Sequence, residues 1–273
     1  MGKIVFIDFD GTLAEQGVIP SPHVEAIREA RHRGHRIVLC TGRPRSLVSD
    51  EIRALFDGMV GAAGGYVDLD GEVLSDHRFP AELGDRVRAL LDAHEVAYIL
   101  ETPDAVHARP TAAERIATLL RPEAGGEDTT GGPGLGVLST VRIDEDLSGV
   151  SFSKVACFDS NVPLTEIVRQ LQPEVGLVPS SMAALGERAG ELYLADVNKS
   201  VGMLVAARHF GADDADIVAI GDGYNDLEML REAATAVVIE GAPEPLMALA
   251  DLVVPPPARA GLVEAFERLG LTG

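Results

Sequence analysis

Ile4-Val5-Phe6-Ile7-Asp8-Phe9-Asp10-Gly11-Thr12 is the stretch from which the fold is read. Four apolar residues with β-branched members make a buried strand, and the strand ends in two carboxylates that straddle an aromatic ring. Acids at this spacing suit a covalent mechanism: one attacks an electrophile, the other handles a proton, and both can touch one cation. Taken alone, an acidic pair at a strand end is more often a solvated turn.

The rest of the chain supplies the context. Arg36-Ile37-Val38-Leu39-Cys40 runs into Thr41-Gly42-Arg43-Pro44, where a hydroxyl, a glycine and a proline at a first helical position offer backbone N–H groups to an anion. Lys199 opens a helical stretch, Lys199-Ser200-Val201-Gly202-Met203-Leu204. Ile217-Val218-Ala219-Ile220 is another buried strand, and it ends in Gly221-Asp222-Gly223-Tyr224-Asn225-Asp226. Acid pair, hydroxyl turn, lysine and second acid pair, in that order, resemble the four motifs of the haloacid dehalogenase-like (HAD) phosphatases. The wording from Gly221 to Leu230 resembles the Cof-type branch, subfamily IIB.

Composition limits the partners. Lys+Arg 23 against Asp+Glu 43 gives a formal charge of -20, which repels nucleic acid and anionic membrane surfaces. A phosphorylated substrate is repelled too, so a site for one must reverse the field locally with a cation, Lys199 and helix N-termini. The chain has only three lysines, Lys3, Lys154 and Lys199, which makes one in a motif position more informative. Cys40 and Cys157 each lie in an apolar run and read as buried free thiols, in keeping with a cytoplasmic location. No signal peptide precedes the first strand, and no apolar run approaches the roughly 18 residues of a membrane span. The seven histidines show no zinc-type pair and read as surface or core residues, with His77 and His107 open.

Strand and helix alternate through the first 79 residues, as in a parallel sheet with right-handed crossovers. Ser21 and Pro22 read as N-cap and first residue of a helix carrying Val24, Ile27 and Ala30; Val48, Ile52 and Leu55 mark a second helix behind Pro44. Tyr66 to Leu74 reads as a hairpin with Asp70-Gly71 at its tip. From about residue 80 the rhythm changes: a helix near 81–94, strands near 96–101 and 105–109, a helix near 111–120, a Gly- and Pro-rich loop over 121–136, a strand over 152–158, a helix over 163–171 and a strand near 175–179. The sheet rhythm returns near Leu192. The expected fold is α/β, a Rossmann-like parallel-sheet core formed by 1–79 and 191–273, with an α+β domain inserted over 80–190. The resemblance implies that this insert is a cap, since subfamily IIB caps lie between the second motif and the lysine.

The resemblance also implies roles. Asp8 is the nucleophile that forms an aspartyl phosphate, and Asp10 the general acid and base. Phe9, Thr41, Gly42, Lys199 and Asn225 hold the phosphate. Mg²⁺ is bound by Asp8, the Asp10 carbonyl and Asp222, while Asp226 supports a metal-bound water or Lys199, or simply caps a helix. Arg43 stays open between a surface ion pair and a substrate contact. Two departures stand out: Gly64-Gly65-Tyr66 replaces a frequent Asn-Gly-Ala, and Ser200 follows Lys199 in place of glycine. In the insert, His107, Arg109 and Lys154 are the polar candidates, against a surface role for each. The implied activity is Mg-dependent hydrolysis of small phosphate esters, sugar phosphates first, with a phosphomutase or phosphotransferase, or a catalytically silent phosphometabolite-binding protein, as alternatives. Oligomeric state stays open.

Overall fold

The computed structural model describes residues 2–120, 140–180 and 183–273. In chain order the elements are β1 (Ile4–Ile7), α1 (Ser21–His32), β2 (Arg36–Cys40), α2 (Asp50–Arg53), β3 (Gly58–Gly61), β4 (Tyr66–Leu69) and β5 (Glu72–Asp76). Then come α3 (Ala81–Ala93), β6 (Ala97–Glu101), β7 (Val106–Ala108), α4 (Pro110–Leu119), β8 (Val141–Ile143), β9 (Lys154–Asp159), α5 (Leu164–Val168), β10 (Val175–Pro179) and β11 (Gly190–Leu194). The chain closes with α6 (Lys199–His209), β12 (Ile217–Gly221), α7 (Leu227–Glu232), β13 (Thr235–Ile239), α8 (Glu244–Met247), β14 (Leu252–Val254) and α9 (Gly261–Arg268).

Contacts divide the chain into two compact units. One comprises Met1–Arg43, Val48–Asp76 and Asn198–Gly273; the other comprises Pro44–Leu47 and His77–Val197. The first unit is built on an eight-stranded sheet of order β14-β13-β12-β1-β2-β3-β4-β5. Pairing is parallel from β14 to β3 and antiparallel through β3-β4-β5. The central strands β1 and β12 are buried along their whole length, as expected for a sheet covered on both faces. Side chains alternate between two cores: Val5, Ile7, Ile37 and Leu39 face α1 and α9, while Ile4, Phe6, Val38 and Cys40 face α6 and α7. Fully burying a residue such as Ile7 stabilises by about 1.5–3 kcal/mol.

The chain leaves β1 towards β2 and β3 on one side, and β12, β13 and β14 build on the other. The β1–β12 junction is therefore a topological switch point, where open α/β sheets carry their sites beyond the carboxyl ends of the strands. Asp8, Thr41 and Asp222 each follow one of the parallel strands β1, β2 and β12, so strand register alone brings them to one edge.

The second unit is a six-stranded sheet of order β10-β11-β9-β6-β7-β8, antiparallel except for β7-β8. Its larger core packs Phe79, Leu83, Val87 and Leu91 of the α3 segment against Tyr98, Leu100, Val155 and Cys157. Phe79 and Phe152 stack at 4.8 Å.

Several expectations need correction. Ser21 is the first residue of α1 rather than its cap; Pro20 precedes it and no side chain caps the end. The helix expected behind Pro44 is broken into a 3-10 turn over Arg45–Leu47 and the short α2, because Ser49 accepts from Ile52 N and starts the helix afresh. Residues 44–47 instead join the second unit, where Ser46 Oγ donates to the Thr102 carbonyl at 2.9 Å. The helix expected over 163–171 is confined to Leu164–Val168. β11, taken in sequence as the return of the first sheet, pairs with β9 and β10, so the change of unit falls after Val197. The hairpin at Asp70-Gly71 is present, with both tip residues left-handed as a type I′ turn requires. The loop read over 121–136 lies outside the described residues. Both thiols are buried, and burial pushes each well above the ordinary cysteine range. Among the described residues, no helix is long and apolar enough to cross a membrane.

Candidate active site

Asp8 stands just past β1, with its own N–H tied to the Ile220 carbonyl of β12 at 3.0 Å. Its Oδ1 accepts from Lys199 Nζ at 2.5 Å, and the same ammonium donates to Asp226 Oδ1 at 2.5 Å. Lys199 and Asp226 are fully buried and Asp8 nearly so. The lysine is presented by the start of α6, where Asn198 caps the helix: its Oδ1 accepts from Ser200 N, Val201 N and the Ser200 hydroxyl. Ser200 thus joins the cap in place of the frequent glycine. Gly64 has a different part. A Cβ there would lie 1.8 Å from the Asn198 carbonyl, so the Gly64-Gly65 departure keeps a residue without a side chain where the turn after β3 meets the lysine's cap.

Asp222 follows β12. Thr12 Oγ1 donates to its Oδ1 at 2.6 Å, and Gly11, at φ +88°, leaves no room for a side chain, since a Cβ would lie 2.3 Å from Asp222 Oδ2. Asp226 Oδ2 accepts from the N–H groups of Asp222 and Gly223, both at 3.0 Å. Of the three roles open to Asp226, the structure displays two: it holds Lys199, and it satisfies the backbone of its own turn.

Carboxylate oxygens of Asp8, Asp222 and Asp226 lie within 4.8 Å of one another. Three acids against one ammonium leave two negative charges in a cluster of which only Asp222 is partly exposed, an arrangement that is costly without a counter-cation. The shifts agree in sign. Burial, then Asp226, raises Asp8 well above the usual carboxylate range against the opposing pull of Lys199. Burial also pushes Asp222 up to about 6, while its Thr12 hydrogen bond pulls the other way. For Lys199 burial favours the neutral amine, but Asp226 and Asp8 outweigh it and hold the ammonium charged. With both Asp226 oxygens already engaged, Asp8 and Asp222 are the carboxylates left for a cation. All-oxygen donors of this kind fit a hard ion such as Mg²⁺.

The remaining sequence candidates fall nearby or apart. Asp10 is not in the acid cluster; its half-exposed carboxylate is gripped by Arg43, which donates from Nε at 2.8 Å and from Nη2 at 2.6 Å. The same guanidinium lies 4.4 Å from the Phe9 ring centroid, and that ring is buried in the core. Arg43 therefore makes an ion pair, with the acid of the first motif as its partner. Thr41 is buried, and its Oγ1 accepts from Arg43 N at 3.1 Å, which closes the turn around Gly42. Asn225 sits half-buried in the 3-10 turn over Tyr224–Asp226.

The polar candidates of the second unit are engaged within it. His107 pairs with Asp144, Arg109 with Asp92, and Lys154 with Glu101 and Glu191. Thr12 and Asn198 are site-shaping residues that sequence reading passed over. Thr12 lay inside the quoted motif, and Asn198, a cap-type residue just ahead of a helix, carried a local signal.

Comparisons with known proteins give the family. A stretch of 77 residues is 40% identical to phosphoglycolate phosphatase of Archaeoglobus fulgidus; it covers 28% of this chain and 34% of that protein, so the match spans about a third of the relative's length. Over 259 residues, 88% of each chain, there is 26% identity to the 5-amino-6-(5-phospho-D-ribitylamino)uracil phosphatase YwtE of Bacillus subtilis. A solved structure described as a HAD subclass IIB sugar phosphatase superposes with a TM-score of 0.77 at 24% identity, covering 98% of this chain and 99% of that one, which establishes the shared fold. The family model for haloacid dehalogenase-like hydrolases matches residues 5–266, and the chain belongs to that family.

Proposed function

We propose that this protein is a Mg²⁺-dependent phosphatase of small phosphorylated metabolites, sugar phosphates foremost, working through an aspartyl phosphate on Asp8. The observation that carries the reading is the cluster of buried Asp8, Lys199 and Asp226 with half-buried Asp222, assembled from three separate stretches of chain with two uncompensated negative charges. Unaided phosphate-monoester hydrolysis is so slow that such an enzyme supplies about 20 kcal/mol or more, most of it electrostatic.

Lys199 holds Asp8 Oδ1, and Oδ2 is the atom assigned to attack phosphorus in line. The Asp8–phosphorus bond forms as the ester P–O bond breaks, and Asp10 gives its proton to the departing alcohol oxygen. Water then attacks the acyl phosphate while Asp10 takes its proton, which frees inorganic phosphate and restores Asp8. For either transfer the Asp10 carboxyl must turn from Arg43 towards the reacting oxygen. Thr41 Oγ1, the Gly42 and Phe9 N–H groups, Asn225 and Lys199 are assigned to the phosphate oxygens. Asp8, Asp222 and the Asp10 carbonyl would hold Mg²⁺, which when bound would supply positive charge to the transferring group.

A phosphate-release screen over phosphorylated sugars, sugar alcohols, phosphoglycolate and nucleotides tests the proposal. Release is expected with Mg²⁺ and is expected to vanish with EDTA; no release from any ester between pH 5.5 and 8.5 overturns it. Thr12→Val gives a finer check. The isosteric change deprives Asp222 of its hydroxyl donor, and losing such an orienting partner weakens metal binding by about 10- to 100-fold. The half-saturating Mg²⁺ concentration is expected to rise by that factor, and an unchanged value contradicts metal binding at Asp222.

A further inference from the structure

His23 is fully buried in α1, and the steps above do not use it. Its ring lies between two backbone groups. Nδ1 is 2.9 Å from the Leu13 carbonyl, and Leu262 N donates to Nε2 at 3.3 Å. The second bond settles the tautomer: Nε2 accepts, so Nδ1 carries the proton and donates to Leu13. Only the neutral ring serves both partners, and burial lowers the histidine's pKa in the direction that keeps it neutral.

Both partners would otherwise be buried and unsatisfied. Leu262 stands in the first turn of α9, whose N-terminal N–H groups lack intrahelical acceptors, and the preceding Ala260 offers no capping side chain. Leu13 is fully buried at the end of the turn that carries Asp10, Gly11 and Thr12. That turn closes on itself: Leu13 N donates to the Asp8 and Phe9 carbonyls, and Gly11 N to the Ala14 carbonyl. Three side-chain tethers hold it from outside: Arg43 to Asp10, Thr12 to Asp222 and His23 to Leu13. Because Leu13 follows Thr12 directly, slack at the Leu13 carbonyl passes to the Thr12 hydroxyl and on to Asp222, and also to Gly11, which packs against the same carboxylate.

We propose that His23 is a positioning residue for catalysis, whose Nδ1–H fixes the Leu13 carbonyl and so holds the Asp10–Thr12 turn in register with Asp222. This rests on the phosphatase reading of the site. Two conservative variants separate the ring's bonds. His23→Asn keeps a donor near the Nδ1 position and loses the acceptor for Leu262; His23→Gln keeps an acceptor near Nε2 and loses the donor for Leu13. Assayed well below the Tm of each, His23→Asn is expected within threefold of the parent in kcat, and His23→Gln at least tenfold lower, with KM within threefold for both. A purely structural role would rank kcat with Tm. A Gln variant equal to or faster than the Asn variant overturns the proposal.

Amide exchange separates failure here from failure of the phosphatase reading. If the parent releases no phosphate from any ester, the amides of Gly11 to Ala14 are still expected to exchange at least tenfold faster in His23→Gln than in His23→Asn, and equal rates overturn the tether. Imidazole nitrogen NMR of the unaltered protein needs no variant to fold. At pH 7.5 the proton is expected on Nδ1, and a proton on Nε2 overturns the assignment.

Discussion

Asp8→Asn is expected to abolish phosphate release, at least about 10⁴-fold in kcat and worth about 5.4 kcal/mol of barrier, while the folded protein becomes no less stable. The two effects have one origin. A carboxamide is too weak a nucleophile to form the phosphoenzyme, so the covalent step is lost. Yet the Asp8 carboxyl is held above its ordinary range by burial and by Asp226. A carboxyl whose folded-state pKa is raised binds its proton more tightly in the folded state than in the unfolded one, so at pH 7 its ionised form costs stability. Removing that charge removes the cost, and Lys199 keeps Asp226 as its partner. Measured without metal at pH 7, Tm is expected to hold or rise as activity disappears. Activity within tenfold of the parent contradicts the covalent step, and a marked fall in Tm contradicts the charge argument.

The parts of this site legible in sequence are those written into strand ends. Asp8, Thr41 and Asp222 each close a short apolar run, and parallel strands aligned in register must deliver their carboxyl ends to one edge of the sheet. Lys199 was readable for a different reason, as one of three lysines, at the start of a helix, between recognisable motifs. Illegible were the contacts that depend on rotamers across long separations. Arg43 to Asp10 spans 33 positions and Thr12 to Asp222 spans 210, and neither leaves a periodic trace.

Partner choice between strands was equally hidden. Gly190-Glu191-Leu192-Tyr193-Leu194 reads as a strand in either sheet, and only its pairing with β9 and β10 assigns it to the second. The stripe behind Pro44 failed in another way. Val48, Ile52 and Leu55 do pack against the first core, but the Ser49 cap and the Ser46 bond to Thr102 divide the segment that helical spacing would have joined. His23 carried a helical address and nothing more, since its two partners are backbone groups 10 positions before it and 239 after it.

Lys199→Met is expected to remove activity and stability together, which sets it apart from the change at Asp8. Methionine fills a similar volume without charge, so packing is disturbed little and electrostatics decide the outcome. Asp226 and Asp8 lose the cation that lies 2.5 Å from each, and stranding a buried partner in this way costs about 3–5 kcal/mol. The transferring phosphoryl group loses one fixed positive charge, for which a fall of about 10²–10³ in kcat is expected. Acid should repair the stability and not the activity. Asp8 is already raised, and without the ammonium it is raised further, so the folded variant takes up a proton at a pH where the unfolded chain stays ionised. Stability of the variant is therefore expected to climb as pH falls from 7 towards 5, more steeply than in the parent measured without metal. A variant whose Tm matches the parent at pH 7, or whose stability falls on acidification more than the parent's, contradicts Lys199 as the counter-charge of this cluster.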